Sequence, residues 1–136
     1  MQNPPPVQTA KSSTGLDENV AALLAYVFTW LSGLIFFLIE KESRLVRFHA
    51  MQALLLGGSA IVIGIVLWVV WVVLLIIVAQ ISDVLTMLLN LVFGLLMLAF
   101  YIGLLIAWVM CMIKAYGKQY FKLPIIGNMA EKFSTK

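Results

Sequence analysis

The sequence predicts an all-α integral membrane protein: a bundle of three transmembrane helices with a short amphipathic C-terminal segment. Three observations carry this. Hydrophobic residues make up 63% of the 136 residues and charged residues only 11%, against about 45–50% and about 25% in an ordinary soluble domain. A chain this short has too little interior to hide so much apolar surface. The apolar residues also fall in three runs, each long enough for the ~20 residues that a bilayer crossing requires. The net charge of +3 does not signal nucleic acid, because the basic residues stand at the ends of apolar runs, where membrane orientation explains them. Cys111 is the one cysteine, which excludes an internal disulfide.

Residues 1–15, with three consecutive prolines and small polar residues, are expected to form an unstructured tail. The remaining residues, 16–136, form one membrane domain. The N-terminal segment lacks the pattern of a cleavable signal peptide. Thr14 or Asp17 can cap the first helix, and Asp17 and Glu18 suit the positive end of its dipole.

The first helix is expected from about Leu16 to Ile39, with its span over 20–39. Ala22, Ala25, Thr29 and Ser32 recur at three and four with Gly33 beside them, a small-residue face. Lipid tails are as apolar as leucine, so helices pair in a bilayer by close contact over such faces. Residues 40–47 connect the first two helices and hold Lys41, Arg44 and Arg47 against Glu40 and Glu42.

The second helix reads from about Leu45 to Ala79, spanning 53–79. Ala53, Gly57, Ala60 and Gly64 repeat at four, three and four on one face. The break at 80–83 offers Asp83 as an N-cap for the third helix. The apolar stretch 84–113 has room for one span, over about 89–113. It carries a third small-residue face at Ala99, Gly103 and Ala107, with Asn90, Gly94, Met97 and Tyr101 opposite. The tail 114–136 mixes lysines with Tyr116, Tyr120 and Phe121, a composition suited to headgroup depth. Pro124 and Gly127 argue against one continuous helix there.

Basic residues occupy the 40–47 connection and the tail, and none lies in 80–83. By the positive-inside rule the connection and the C-terminus are cytoplasmic. Three spans then place the N-terminus outside.

Glu40, Arg44, Arg47, Phe48, His49 and Gln52 form the candidate functional or structural cluster, at the cytoplasmic ends of the first two helices. One reading makes it proton-sensitive or substrate-contacting. The favoured reading is a polar tie that fixes the helix hairpin. No central part of a span carries a carboxylate or a basic residue, and no catalytic, phosphate-loop or paired-cysteine motif is present. The expectation is therefore no catalytic residue, cofactor or metal site.

The blocks L-D-E-N-V-A-A-L-L-A-Y (16–26), W-L-S-G-L-I-F-F-L-I-E-K-E (30–42) and V-R-F-H-A-M-Q-A (46–53), with Y-F-K-L-P-I-I-G (120–127), resemble one family. It comprises small prokaryotic membrane proteins of unknown function grouped with the Tic-twenty subunit of the chloroplast inner-envelope import translocon. The resemblance implies a multi-pass helical protein of the prokaryotic cytoplasmic membrane. It brings no catalytic residues, and protein import does not follow from it.

The first functional expectation is a non-enzymatic structural or assembly subunit acting through helix contacts. Its partners are the lipid bilayer and either further copies of itself or other membrane proteins, with no nucleic acid. The alternative is an oligomeric channel or transporter component for a small solute, ion or polypeptide, lined by Asn90, Ser59 and Thr29. A membrane enzyme using Glu40 and His49 is a third.

Overall fold

The protein is described by a computed structural model over residues 10–135. Among the described residues it is all-helical: α1 is Glu18–Val27, α2 Trp30–Ile39, α3 Arg44–Ala79, α4 Asp83–Tyr116 and α5 Ile126–Ser134. By contacts it divides into two compact units, one from the described residues up to Leu56 and from Met110 onward, the other Gly57–Val109.

In the first unit the expected single helix over 20–39 is not formed. The chain breaks at Phe28–Thr29, where Thr29 adopts φ 48°, a region that β-branched residues avoid. Ser32 holds the break closed. Its Oγ accepts from Phe28 N at 3.0 Å and donates to the Ala25 carbonyl at 2.8 Å, satisfying groups the interrupted helix would leave unpaired. The two ten-residue helices pack against each other as a hairpin. Its open end is closed where Ser43 Oγ donates to Glu18 at 3.0 Å. The first predicted span is thus replaced by two helices of about 15 Å each.

Residues 10–15, expected within the unstructured tail, are ordered. Lys11 bridges Asp17, and the Ser12 amide donates to Leu16 O at 2.8 Å. The rest of the expected tail, 1–9, lies outside the described residues. Asp17 takes the N-cap position of α1 as expected.

Helix α3 starts one residue before the predicted position, capped by Ser43, whose Oγ accepts from Val46 N. It buries Ala53 against the hairpin. A Cβ added to Gly33 of α2 would lie 2.7 Å from both Ala50 O and Leu54 N. The backbones of α2 and α3 therefore touch, and only glycine fits. Ala22, Ala25 and Gly33 are buried as the small-residue pattern predicts.

Helix α4 ends at Tyr116, and Lys118 follows in the left-handed region at φ 57°. Lys118 N bonds to Ala115 O and Gln119 N to Lys114 O, the Schellman pattern that turns a chain sharply off a helix. A γ-turn centred on Ile125 (φ 66°, ψ −58°), with Ile126 N on Pro124 O at 2.7 Å, then starts α5. Gly127 packs directly on Lys122, where a Cβ would meet atoms at 2.5–2.8 Å. The break that Pro124 and Gly127 predicted is present, and α5 is the amphipathic segment. Its Gly127 and Ala130 are buried while Met129 and Phe133 are exposed.

The second unit holds the continuations of α3 and α4. Both helices, 36 and 34 residues long, are long and apolar enough to cross a membrane. They meet at Trp71 and Phe93, whose rings stack at 5.0 Å, and most of their large apolar side chains are exposed. Ser82, rather than Asp83, caps α4, with Leu85 N at 3.5 Å from its Oγ. Asp83 instead lies in the first turn, where its charge suits the dipole. The α4 small-residue face is open over two of its three positions: Ala99 and Gly103 are exposed while Ala107 is half-buried, and among the described residues a Cβ on Gly103 would meet nothing within 4 Å. A Cβ on Gly64 of α3 would likewise meet none of them within that distance, and Ala60 is half-buried.

Candidate functional site

The candidate cluster assembles in the first unit, and the structure ties most of its polar atoms to the backbone. His49 and Gln52 are three residues apart on α3, hence on one face, and both are fully buried. His49 Nε2 lies 2.8 Å from the Gln119 carbonyl. A carbonyl only accepts, so Nε2 carries the proton and Nδ1 is the acceptor. Tyr26 Oη, 2.9 Å from Nδ1, therefore donates to it. Gln52 Nε2 donates to Tyr26 Oη at 3.0 Å and to Phe121 O at 2.9 Å, and contacts Cys111 Sγ at 3.5 Å. Gln52 Oε1 accepts from Leu123 N at 3.2 Å.

The result is a directed chain from the Leu123 amide through Gln52, Tyr26 and His49 to the Gln119 carbonyl. It joins α1, α3 and the 119–123 segment that follows α4. The segment is presented by the left-handed turn at Lys118. Lys118 also pairs with Glu18 at 3.6 Å, so the start of α1 lies beside the end of α4.

Glu40 is buried and makes a second centre. Its Oε1 accepts from Ser13 Oγ at 2.8 Å, Ser43 N at 2.9 Å and Glu42 N at 3.0 Å; Ser13 N lies 3.0 Å from both oxygens. Burial alone would push its carboxyl pKa up. The donors from Ser43, Ser13 and Glu42 outweigh this and hold it below the ordinary 4.5. Glu40 meets Arg47 through its backbone carbonyl, which accepts from Arg47 Nη1 at 2.7 Å. Arg47 also donates from Nε to Ser134 O at 3.1 Å and lies 4.6 Å over the Phe37 ring. Glu40 and His49 thus belong to separate networks.

Phe48 packs edge-on to His49 at 5.1 Å and against Tyr120 at 5.4 Å, and with Met51 and Ala130 forms a small core under α5. Arg44 is exposed and lines a cleft of about 730 Å³ with Lys41, Arg47, Phe48, Tyr120 and Glu131. Among the described residues no three His, Cys, Asp or Glu side chains come together to hold a metal ion.

Tyr26, Ser13 and Ser43 were not among the predicted cluster residues. Tyr26 had a signal, a hydroxyl-bearing ring beside the Ala22–Ala25 face. Ser13 had none, because its partner stands 27 positions away.

A family model described as the magnetosome magnetite crystal formation protein family matches residues 16–130. The chain belongs to that family. Its relatives include two UPF0132 membrane proteins of Methanocaldococcus jannaschii. One is 40% identical over 124 residues, covering 91% of this chain and 94% of the relative. The other is 34% identical over 119 residues, covering 88% and 71%. A UPF0132 membrane protein of Archaeoglobus fulgidus is 36% identical over 117 residues, covering 86% and 95%. No solved structure matches the chain. The expectation of a small prokaryotic membrane protein family holds through these archaeal relatives; the matches do not bear on the Tic-twenty likeness.

Proposed function

We propose that the chain is a non-enzymatic membrane subunit that assembles with further copies of itself through α4. Helices α3 and α4 cross the bilayer. The α1–α2 hairpin, with helices about half the ~30 Å hydrocarbon thickness, enters and leaves from one side. Lys41, Arg44, Arg47, Lys114, Lys118 and Lys122 flank the membrane on that side, and 80–83 carries no basic residue, so the hairpin side is cytoplasmic. Two crossings place both ends of the described chain there.

The observation that carries the assembly reading is the open seam at Ala99 and Gly103. Small residues with nothing packed on them leave a helix backbone approachable by another helix. The buried polar groups support the non-enzymatic part, since His49 and Gln52 spend their hydrogen bonds on the fold. The channel alternative has weaker support: Asn90 donates to its own helix at Thr86 O, 2.8 Å away. The family's description concerns magnetite crystals. Among the described residues no three His, Cys, Asp or Glu side chains come together, so nothing on this chain is assigned to a mineral and the reading stays with the scaffold.

Crosslinking in native membranes tests this. Wild-type protein is expected to trap a dimer or larger species that Gly103→Leu diminishes without loss of folded protein. A strict monomer would remove the assembly reading.

A further inference from the structure

We propose that the cleft between residues 41–48 and α5 binds the phosphate-bearing headgroup of an anionic membrane lipid. This rests on the membrane reading above and adds a ligand to it.

The cleft, at about 730 Å³, is within the range of small-ligand sites. Lys41, Arg44 and Arg47 line it. Of the acids beside them, Glu131 is ion-paired with Lys122, which leaves the three cations facing Glu42. Arg47 is held in place by the carbonyls of Glu40, Phe37 and Ser134, which commits its Nε and Nη1, so it lends the cleft a fixed charge. The guanidinium fork that matches phosphate oxygens is that of Arg44, exposed at the cleft. Phe48 and Tyr120 supply an aromatic wall, and tyrosine prefers headgroup depth.

The second observation concerns α5, the other wall. Ile125, Met129 and Phe133 follow at spacings of four and are exposed, while Gly127 and Ala130 face inward. An apolar stripe on a short helix whose opposite face is already packed suits insertion at the headgroup–acyl boundary. That depth brings the mouth of the cleft level with lipid phosphates. A free phosphate ion would satisfy the cations equally but leaves the exposed stripe without a role, so the lipid is favoured.

The test uses the full chain, purified in neutral detergent, with phosphatidylglycerol and phosphatidylcholine titrated in and bound lipid counted by native mass spectrometry. The expected result is preferential retention of phosphatidylglycerol. Replacing Arg44→Gln and Lys41→Gln together should weaken it by about twenty-five-fold, at about fivefold per surface charge. Arg44→Lys should retain most of the binding, and Lys132→Gln, which removes a charge from α5 outside the cleft, should change it by less than twofold. Equal retention of the two lipids, or equal losses from Lys132→Gln and Arg44→Gln, would overturn the proposal. Displacement of phosphatidylglycerol by equimolar inorganic phosphate would overturn the lipid in favour of the ion. Release of the protein from native membranes by alkaline carbonate would instead mark failure of the membrane reading, which the lipid results leave untouched.

Discussion

The Tyr26 hydroxyl donates to His49 Nδ1 across 2.9 Å, and that contact joins the N-terminal hairpin to the first long helix. The Gln119 carbonyl, which can only accept, fixes the His49 tautomer with the proton on Nε2, and that makes the Tyr26 hydroxyl the donor to Nδ1. One carbonyl in the segment after α4 thus sets the direction of a hydrogen-bond chain that reaches back to α1.

Tyr26→Phe removes the donor to His49 and the acceptor of Gln52 in a fully buried site. Leaving two buried polar groups short of a partner is expected to cost about 2–4 kcal/mol. Thermal unfolding in detergent checks this. A loss below about 0.5 kcal/mol would show that the chain of bonds does not hold the unit together.

Gly33→Ala drives a methyl into the Ala50 carbonyl and the Leu54 amide. Backbone cannot step aside as a side chain does, so a loss of about 1–3 kcal/mol is expected. Gly103→Ala meets nothing and should leave stability within about 1 kcal/mol, on the stabilising side from helix propensity. Chemical unfolding of the two variants side by side separates a packed glycine from an open one.

Glu40 gives the fold a pH dependence of definite sign. Its folded pKa is below the ordinary 4.5. The carboxylate therefore stabilises the fold fully above about pH 4.5, and that contribution drains away as pH falls through the lowered folded value. Glu40→Gln keeps the shape but replaces charged acceptors with weaker ones, at an expected cost of about 1.5–3 kcal/mol near neutral pH. The loss should shrink as pH falls below about 4.5 and through the lowered folded value, which a pH series of melting curves measures.

The sequence made α3 and α4 legible because their long charge-free apolar runs, 53–79 and 84–113, leave one way to pair the backbone without water. The break at Thr29 was not legible. Val27-Phe28-Thr29-Trp30 holds no proline or glycine, and the kink is fixed by Ser32 reaching back to Ala25 and by Tyr26 seated on His49. The first is a side-chain bond within the break and the second a tertiary contact, and helix propensity carries no trace of either. Glu40, Arg47, His49 and Gln52 stood out as polar residues beside apolar runs. Their partners did not, since several are backbone groups of Gln119, Phe121, Leu123 and Ser134, which any residue could supply. The small-residue pattern marks close contact at Gly33 and Ala53; at Gly103 it marks a face where an added Cβ would meet nothing among the described residues.

The most direct test of the account is the sidedness of the hairpin. In a Cys111→Ala background, single cysteines at Lys11, Ser82 and Lys132 are probed in intact cells with a membrane-impermeant maleimide. A non-crossing α1–α2 hairpin predicts that Lys11→Cys and Lys132→Cys are both protected until the cells are opened, while Ser82→Cys labels at once. Labelling at Lys11→Cys together with Ser82→Cys, and protection at Lys132→Cys, would mean that residues 18–39 cross the bilayer and would contradict the hairpin.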